Sequence, residues 1–242
     1  MNLVIDAGNS LIKISVFREN TELFHEQFEI SLFVERIKSV FKKYTGIDNA
    51  IVSSVGALDK KDIAVVSLFC SVHQLSHKSK TPFKNSYATP ESLGVDRIAL
   101  ATAAFYKNPN ANTLVIDAGT CMTFDMINDY GEYLGGAISP GLSMRYKALH
   151  QQTSKLPLLK AEDLIDFIGN STNSSIHSGV VNGISAEING VIDQYNQRFK
   201  DLTVILTGGD ALFLSKRTKN TIFANPKFLL EGLNYLLEYN KI

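Results

Sequence analysis

Two short strings of residues, each following an apolar run, have the side chains needed to bind phosphate and a metal ion. Asp6–Ser10 (DAGNS) follows Leu3–Ile5, and Asp117–Thr120 (DAGT) follows Leu114–Ile116. Glycine lets a ligand approach the backbone closely, so the N–H groups and the hydroxyl that follow can face one anion. A carboxylate beside that anion is repelled unless a cation lies between them. Each string therefore suggests Mg²⁺ and phosphates, with water completing the coordination of the ion.

Repetition of the string favours this chemistry over a simpler interpretation. One copy alone is more simply a β-hairpin turn, because Asp, Asn and Gly are common turn residues. The two copies lie almost half the chain apart, and each opens a three-strand segment followed by helices. This pattern predicts two copies of one domain, with a ligand site in the cleft between them. Lys13 adds positive charge to the first copy only if the alternation of its strand does not turn it away.

Hydrophobic periodicity predicts a mixture of strands and helices. With the repeated string, it indicates an α/β protein of two domains, residues 1–111 and 112–242. Gly46 is expected to end the first helix and Pro140 to begin a later one. The predicted strands are 2–7, 11–17, 21–28, 49–54, 72–75, 113–117, 121–127, 132–138 and 202–207. The predicted helices cover the segment of Phe33 to Tyr44 and residues 59–69, 91–106, 173–197 and 226–239.

Composition excludes several classes of function. Among 242 residues, 24 are Lys or Arg and 24 are Asp or Glu, so bulk charge does not favour nucleic acid. We expect no membrane span and no signal peptide, and hence a cytoplasmic protein. The cysteines, Cys70 and Cys121, are too few for a disulfide framework and are expected to be small core residues. The five histidines have no metal-ligand spacing.

A third segment, Tyr87–Arg97 (YATPESLGVDR), could bind and activate a second substrate. The Asp96 carboxylate could accept a hydroxyl proton, and the Arg97 guanidinium could hold an anion through two hydrogen bonds. Gly94 would allow the backbone to approach a ligand. On the residues alone, an Asp–Arg ion pair at a helix start is an equally good interpretation. Gly208–Asp210 also has two interpretations. The segment could approach a nucleotide closely, or it could be an ordinary strand-to-helix turn.

The duplicated plan resembles the actin-like ATPase superfamily, in which two ribonuclease-H-like domains hold ATP between turns of this kind. The ordered motifs resemble the type III pantothenate kinase family from end to end. They are DAGNS, Tyr87, Pro90-Glu91, Gly94–Arg97, DAGT, Gly135–Gly141 (GGAISPG), Thr153–Pro157 (TSKLP), Gly169–Gly179 (GNSTNSSIHSG) and Leu206–Asp210 (LTGGD). The resemblance implies mixed sheets, an active site in the interdomain cleft, and a homodimer whose substrate site is completed across the subunit interface.

The resemblance also implies roles for individual residues. Asp96 would be the catalytic base, Asp117 would bind a monovalent cation, K⁺ or NH₄⁺, and Asp6 would lie near Mg²⁺. The ATP contacts would be Asp6, Ala7, Gly8, Asn9, Ser10, Leu11, Ile12, Lys13 and Thr120. The pantothenate contacts would be Tyr87, Gly94, Val95, Asp96, Arg97 and Thr172. Thr172 is more simply a helix N-cap when judged from the sequence alone, and Ser10 keeps the hydroxyl of the threonine usual in the family.

The expected reaction is phosphorylation of the 4′-hydroxyl of pantothenate by ATP, the first step of coenzyme A synthesis. One alternative is another enzyme of the superfamily, such as a sugar or acetate kinase or a phosphatase. A second is a regulatory protein that only senses nucleotide, which the intact Asp96, Arg97 and both Asp-x-Gly turns argue against.

Overall fold

The computed structural model describes residues 1–8, 11–54, 58–163 and 166–241. The chain packs into two compact units. Unit 1 contains Met1–Lys107 and Phe228–Ile242, and unit 2 contains Asn108–Lys227. The first boundary lies close to the division expected after residue 111, whereas the C-terminal helix, expected in the second domain, belongs to unit 1.

Strands and helices occur in both halves of the chain. The strands are β1 Asn2–Ala7, β2 Leu11–Arg18, β3 Thr21–Glu29, β4 Asn49–Ser54, β5 Ser71–Gln74, β6 Lys84–Asn85, β7 Thr113–Ala118, β8 Cys121–Ile127, β9 Glu132–Pro140, β10 Thr203–Thr207 and β11 Phe223–Ala224. The α-helices are α1 Phe33–Lys43, α2 Lys60–Ser67, α3 Val95–Lys107, α4 Leu142–Gln151, α5 Thr172–Arg198, α6 Ala211–Ser215 and α7 Phe228–Asn240.

Unit 1 is built on a mixed sheet with the strand order β3-β2-β1-β4-β5. Strand β1 pairs antiparallel with β2 and parallel with β4. Alternate residues of a strand point to opposite faces. One face therefore carries Leu3, Ile5 and Ala7, which pack in an apolar core with α1. The other face of β1 carries Asp6 at its end.

Unit 2 repeats this plan, and its strands follow the order β11-β10-β7-β8-β9. Strand β7 occupies the position of β1, antiparallel to β8 and parallel to β10. Leu114, Ile116 and Ala118 face an apolar core that includes α5, so Asp117 lies on the opposite face at the strand end. The two sheets confirm the predicted duplication of one mixed α/β domain.

Two local expectations from the sequence are wrong. Pro140 does not begin a helix but ends β9, where it pairs with Cys121, and Gly141 is the N-cap of α4. A Cβ on Gly141 would lie 2.3 Å from the Gly119 carbonyl oxygen, so the chain passes too close to the DAGT turn for another residue type. Cys121 is exposed at the start of β8 and is not a core residue, whereas Cys70 is half-buried.

Among the described residues, no helix is both long enough and apolar enough to cross a bilayer.

Candidate active site

Asp6 lies in a row of polar side chains across the sheet of unit 1. It is the direct register partner of Lys13 on β2 and of Ser53 on β4. Directly paired residues of neighbouring strands share a sheet face. Lys13 is therefore not turned away from Asp6 and places a positive charge on the same side of the sheet.

Burial makes the Asp6 carboxyl harder to ionise. Removal of its charge from water is the largest effect and raises its pKa from 3.8 to about 6. The Lys13 ammonium lowers this pKa, and the negative charge of Asp96 raises it. The structure thus brings Lys13 and Asp96 within electrostatic reach of Asp6 in unit 1. Such a pair of carboxylates favours a bound cation, because a positive ion would relieve both desolvation and repulsion.

The turn that follows Asp6 is closed by a backbone hydrogen bond from the Gly8 N–H to the Leu11 carbonyl, 3.2 Å long. Asn9 and Ser10, both expected to contact ATP, lie outside the described residues. The side chains of Ala7 and Ile12 are buried in the core. Any contact that these two residues make with a nucleotide must therefore come from their backbone.

Asp96 lies in the first turn of α3, where a carboxylate is stabilised by the helix dipole. Its Oδ1 accepts the backbone N–H of Arg97 at 2.9 Å. A Cβ on Gly94 would lie 2.5 Å from this same oxygen. Glycine at position 94 thus leaves the space that the Asp96 carboxylate occupies, which gives the Gly94–Arg97 segment a physical reason for its composition.

Arg97 and Tyr87 form a second contact in this region. The Arg97 side chain is buried, and its guanidinium carbon lies 5.6 Å from the centre of the Tyr87 ring. This is a cation–π distance. The Tyr87 backbone N–H donates to Asn85 Oδ1 at 3.0 Å, which holds the segment in place. The two predicted substrate contacts are thus neighbours, and Val95 begins the helix between Gly94 and Asp96.

Asp117 has a corresponding place in unit 2, but its neighbours are different. Its direct register partners are Thr123 on β8 and Thr207 on β10. A Cβ on Gly208 would lie 2.3 Å from Asp117 Oδ1, and Gly208 has a positive φ of 95°. The turn after β10 therefore contacts the Asp117 carboxylate through its backbone, which only glycine permits at this distance and backbone angle.

The GGD turn also binds the DAGT turn directly. The Asp210 backbone N–H donates to the Ala118 carbonyl at 3.0 Å. Within the DAGT turn itself, the Gly119 N–H donates to the Cys121 carbonyl at 3.1 Å. Burial raises the pKa of Asp210 above its ordinary value. Thr120 is exposed at the tip of the turn, where its hydroxyl is accessible to a ligand.

Thr172 lies at the start of α5, but it is not the N-cap that the sequence alone favours. Ser171 is the N-cap, and Ser171 and Ser174 form a reciprocal capping box. Thr172 instead lines an open cavity with a volume of 740 Å³, together with Leu149, Leu156 and Ile176. Because the capping role is filled by Ser171, the Thr172 hydroxyl remains available for another contact.

Sequence reasoning did not single out Thr123, Asp125, Thr207 or Ser53. Alternation in β8 places Thr123 and Asp125 on one face, and Thr207 directly precedes Gly208. Only the strand register shows that Ser53 lies beside Asp6. It also places Thr123 and Thr207 beside Asp117, whereas Asp125 pairs with Val115. Among the described residues, no group of three or more His, Cys, Asp and Glu side chains could hold a metal ion. A divalent ion near Asp6 would therefore depend on phosphate and water oxygens as well.

Solved structures support the fold. A structure from Campylobacter jejuni, assigned to the Baf family of transcriptional activators, is 20% identical and covers 98% of both chains with a TM-score of 0.64. A Listeria monocytogenes structure, assigned as an N-acetylmannosamine kinase, is 12% identical and covers 98% of both chains with a TM-score of 0.54. With the two mixed sheets, they confirm the predicted fold of two ribonuclease-H-like domains of the actin-like ATPase type.

Sequence comparison gives the family. A family model described as type III pantothenate kinase matches residues 2–194. A type III pantothenate kinase from Christiangramia forsetii is 50% identical over 241 residues, which cover 100% of this chain and 99% of the relative. The matched range includes the DAGNS, Gly94–Arg97 and DAGT segments. The chain therefore belongs to the type III pantothenate kinase family.

Proposed function

We propose that this protein transfers the γ-phosphoryl group of ATP to the 4′-hydroxyl of pantothenate, giving 4′-phosphopantothenate in the first step of coenzyme A synthesis. The observation that carries the proposal is the placement of Asp96 within electrostatic reach of Asp6 in unit 1, where its charge raises the Asp6 pKa. A phosphoryl-transfer site needs one carboxylate for the acceptor hydroxyl and a separate one for the metal–phosphate group. Membership of the family supports pantothenate as the acceptor.

Asp96 orients the acceptor hydroxyl and accepts its proton. An alcohol is far less acidic than a carboxylic acid, so Asp96 does not remove the proton in advance. In a loose transition state the proton leaves late, and positioning of the hydroxyl in line with the γ-phosphate is the main contribution. The hydrogen bond from the Arg97 N–H and the space left by Gly94 fix the carboxylate for this role.

The DAGNS turn and Lys13 bind the phosphates of ATP. Lys13 supplies positive charge on the same sheet face as Asp6, and Asp6 would hold Mg²⁺ through water. Such an ion offsets the negative charge on the phosphate oxygens. The raised Asp6 pKa supports this assignment, because a nearby cation stabilises the charged form of a carboxylate that burial makes harder to ionise. Thr120, at the tip of the second turn, contributes a hydroxyl to the nucleotide.

Pantothenate has a carboxylate and one amide group, and the remaining predicted residues could bind these polar groups. Arg97, stacked against Tyr87, offers a positive charge to a polar end of the substrate, and Thr172 offers a hydroxyl. Asp117 binds K⁺ or NH₄⁺. We further propose a homodimer in the cytoplasm, on the basis of the family resemblance and with size-exclusion chromatography and light scattering as the test of assembly.

Transfer of label from γ-³²P-ATP tests the activity. Purified protein is incubated with pantothenate, N-acetylmannosamine, glucose or acetate, with Mg²⁺ and with either KCl or choline chloride. Of the four acceptors, we expect only pantothenate to give labelled product, and we expect faster transfer in KCl than in choline chloride. Labelled sugar or acetyl phosphate would identify another kinase of the same fold. Binding of ATP without transfer to any acceptor would indicate a nucleotide sensor and contradict the proposal.

A matched variant makes the assay specific for this site. Asp96→Asn keeps the shape of the side chain and removes its ability to accept a proton. Transfer to pantothenate should fall with this variant and remain with Asp129→Asn, which changes an exposed carboxylate in unit 2. Equal transfer by both variants would show that the product does not arise at Asp96.

A further inference from the structure

The two polar rows of the duplicated sheets differ in one charge. In unit 1 the row is Lys13, Asp6 and Ser53. In unit 2 the row at the same place is Thr123, Asp117 and Thr207. The strand register makes Thr123 the counterpart of Lys13, since each is the antiparallel partner of the aspartate. Unit 1 therefore carries its own ammonium beside the carboxylate, and unit 2 has a hydroxyl there.

Thr207 is buried beside Asp117 without using its hydroxyl. The residue is 1% exposed, and among the described residues its Oγ1 has no hydrogen-bond partner. A buried polar group left in this state destabilises the folded protein. Native structures rarely keep such groups unless water, an ion or a ligand binds them. The Thr207 hydroxyl thus points to a ligand on the Asp117 side of the sheet.

Thr123 uses its hydroxyl as a hydrogen-bond donor, which leaves its oxygen able to bind a positive ion. Its hydroxyl donates to Asp125 Oδ2 at 2.9 Å, and Tyr133 donates its hydroxyl to Asp125 Oδ1 at 2.7 Å. Asp125 is 1% exposed. A carboxylate accepts hydrogen bonds only, so it fixes the direction of the Thr123 proton. The lone pairs of Thr123 Oγ1 are left for a cation.

The row consists of a carboxylate between two hydroxyl oxygens, which suits a hard cation. A K⁺ ion binds such oxygens through charge, and an NH₄⁺ ion can donate a hydrogen bond to each. The side chains present therefore fit the monovalent cation proposed for Asp117.

We propose that Thr123 and Thr207 complete this monovalent-cation site, and that the bound ion does in unit 2 what the Lys13 ammonium does in unit 1. Asp125 is a positioning residue, which holds the Thr123 proton away from the ion. The inference deepens the proposed function, because it rests on Asp117 as the cation-binding residue. It assigns two ligands and a supporting carboxylate to that site.

Cation binding is measured by the melting temperature of the purified protein, without ATP or pantothenate. KCl replaces choline chloride at constant ionic strength, and the apparent Kd for K⁺ follows from the titration. The wild type should be stabilised by K⁺ with saturation. Thr207→Val keeps the shape but removes the hydroxyl, and should weaken K⁺ binding at least tenfold. Without K⁺ it should melt no lower than the wild type, because an unpaired buried hydroxyl has been removed.

One further variant is a control, and a second tests the positioning role of Asp125. Thr203→Val makes the same change on the same strand, four residues from Thr207, and should leave the Kd for K⁺ unchanged. Asp125→Asn should weaken K⁺ binding, since an amide can donate to Thr123 and reverse its hydroxyl. If Thr207→Val and Thr123→Val bind K⁺ with the wild-type Kd, the proposed ligands are wrong.

Thr123→Lys is the most direct test of the comparison with unit 1. It places an ammonium where Lys13 stands in the first copy. This variant should show no K⁺-dependent rise in melting temperature, and its phosphoryl transfer should no longer depend on K⁺. A K⁺ response equal to that of the wild type would overturn the inference. If Thr123→Lys does not fold, the isosteric Thr207→Val decides the question.

These results separate the inference from the proposed function. Loss of K⁺ binding in Thr207→Val, in a protein that does not phosphorylate pantothenate, would support the ligands and refute the activity. Phosphorylation of pantothenate together with unchanged K⁺ binding in Thr207→Val would support the activity and refute the proposed ligands.

Discussion

Replacement of Asp6 by asparagine should stabilise the protein while it removes activity. Burial raises the pKa of this carboxyl from 3.8 to about 6, so the folded protein holds its proton over a range in which the unfolded chain releases it. This rise in the pKa of Asp6, from 3.8 to about 6, corresponds to a free energy of about 3 kcal/mol. This is the free energy that ionised Asp6 costs the folded state in the absence of a bound cation.

The pH dependence has a definite sign. Below pH 3.8 the carboxyl is protonated in both states and costs nothing. As pH rises towards 6, the unfolded chain ionises first and the folded state loses stability, up to the full value above the folded pKa. Asp6→Asn avoids this loss. It should gain up to about 3 kcal/mol at pH 8 and little near pH 4, or roughly 6–12 °C in Tm at pH 8 for a chain of this size.

Thermal and urea unfolding of both proteins at pH 4 and pH 8, in EDTA and without nucleotide, measures the difference. Asp129→Asn, at an exposed position, controls for the change in net charge. Phosphoryl transfer by Asp6→Asn should be lost, because the neutral amide at position 6 no longer attracts the metal ion. An equal gain at both pH values, or a loss of stability at pH 8, would refute the argument from burial.

Three further variants test the remaining contacts. Asp96→Asn should lower kcat about 10²–10⁴-fold, the usual effect of a positioned proton acceptor, and steady-state kinetics showing near-normal turnover would exclude that role. Gly94→Ala should lower kcat with little change in Tm, because the added methyl displaces only the movable Asp96 carboxylate, 2.5 Å away; a kcat equal to that of the wild type would show that this position of the carboxylate is not needed. Gly208→Ala should lower Tm and weaken K⁺ binding, because its methyl meets the Asp117 carboxylate and Ala118 backbone at a positive φ; unchanged melting curves would contradict the close packing described here.

Much of the fold could be predicted from local sequence. Strands such as Asn2–Ala7 and Thr113–Ala118 have continuous apolar runs that stop at a charged residue and a glycine. The duplication was visible because the same string opened the same order of elements twice. These features depend on neighbours within a few residues, which is the range over which hydrophobic periodicity and turn preferences act.

Other features required the paired sheet. Pro140 has the residue type of a helix start, yet it continues β9 because its partner strand β8 continues beside it. Thr172 looked like an N-cap, but the neighbouring Ser171 fills that role with Ser174. Cys121 looked like a core residue and is exposed at a strand end. For Pro140 and Cys121 the position in the paired strands decided the outcome, whereas the Ser171–Ser174 pair lies within the local sequence itself.

By itself the sequence predicts which residues carry the chemistry: two aspartates at strand ends, a third beside an arginine, and glycines that permit close approach. The tertiary structure decided what each aspartate faces. Lys13 lies opposite Asp6, whereas Thr123 and Thr207 flank Asp117, and burial with Asp96 nearby raises the pKa of Asp6. The physical reason is that strand register and loss of water depend on residues far apart in the chain, and a pattern read along one strand contains neither.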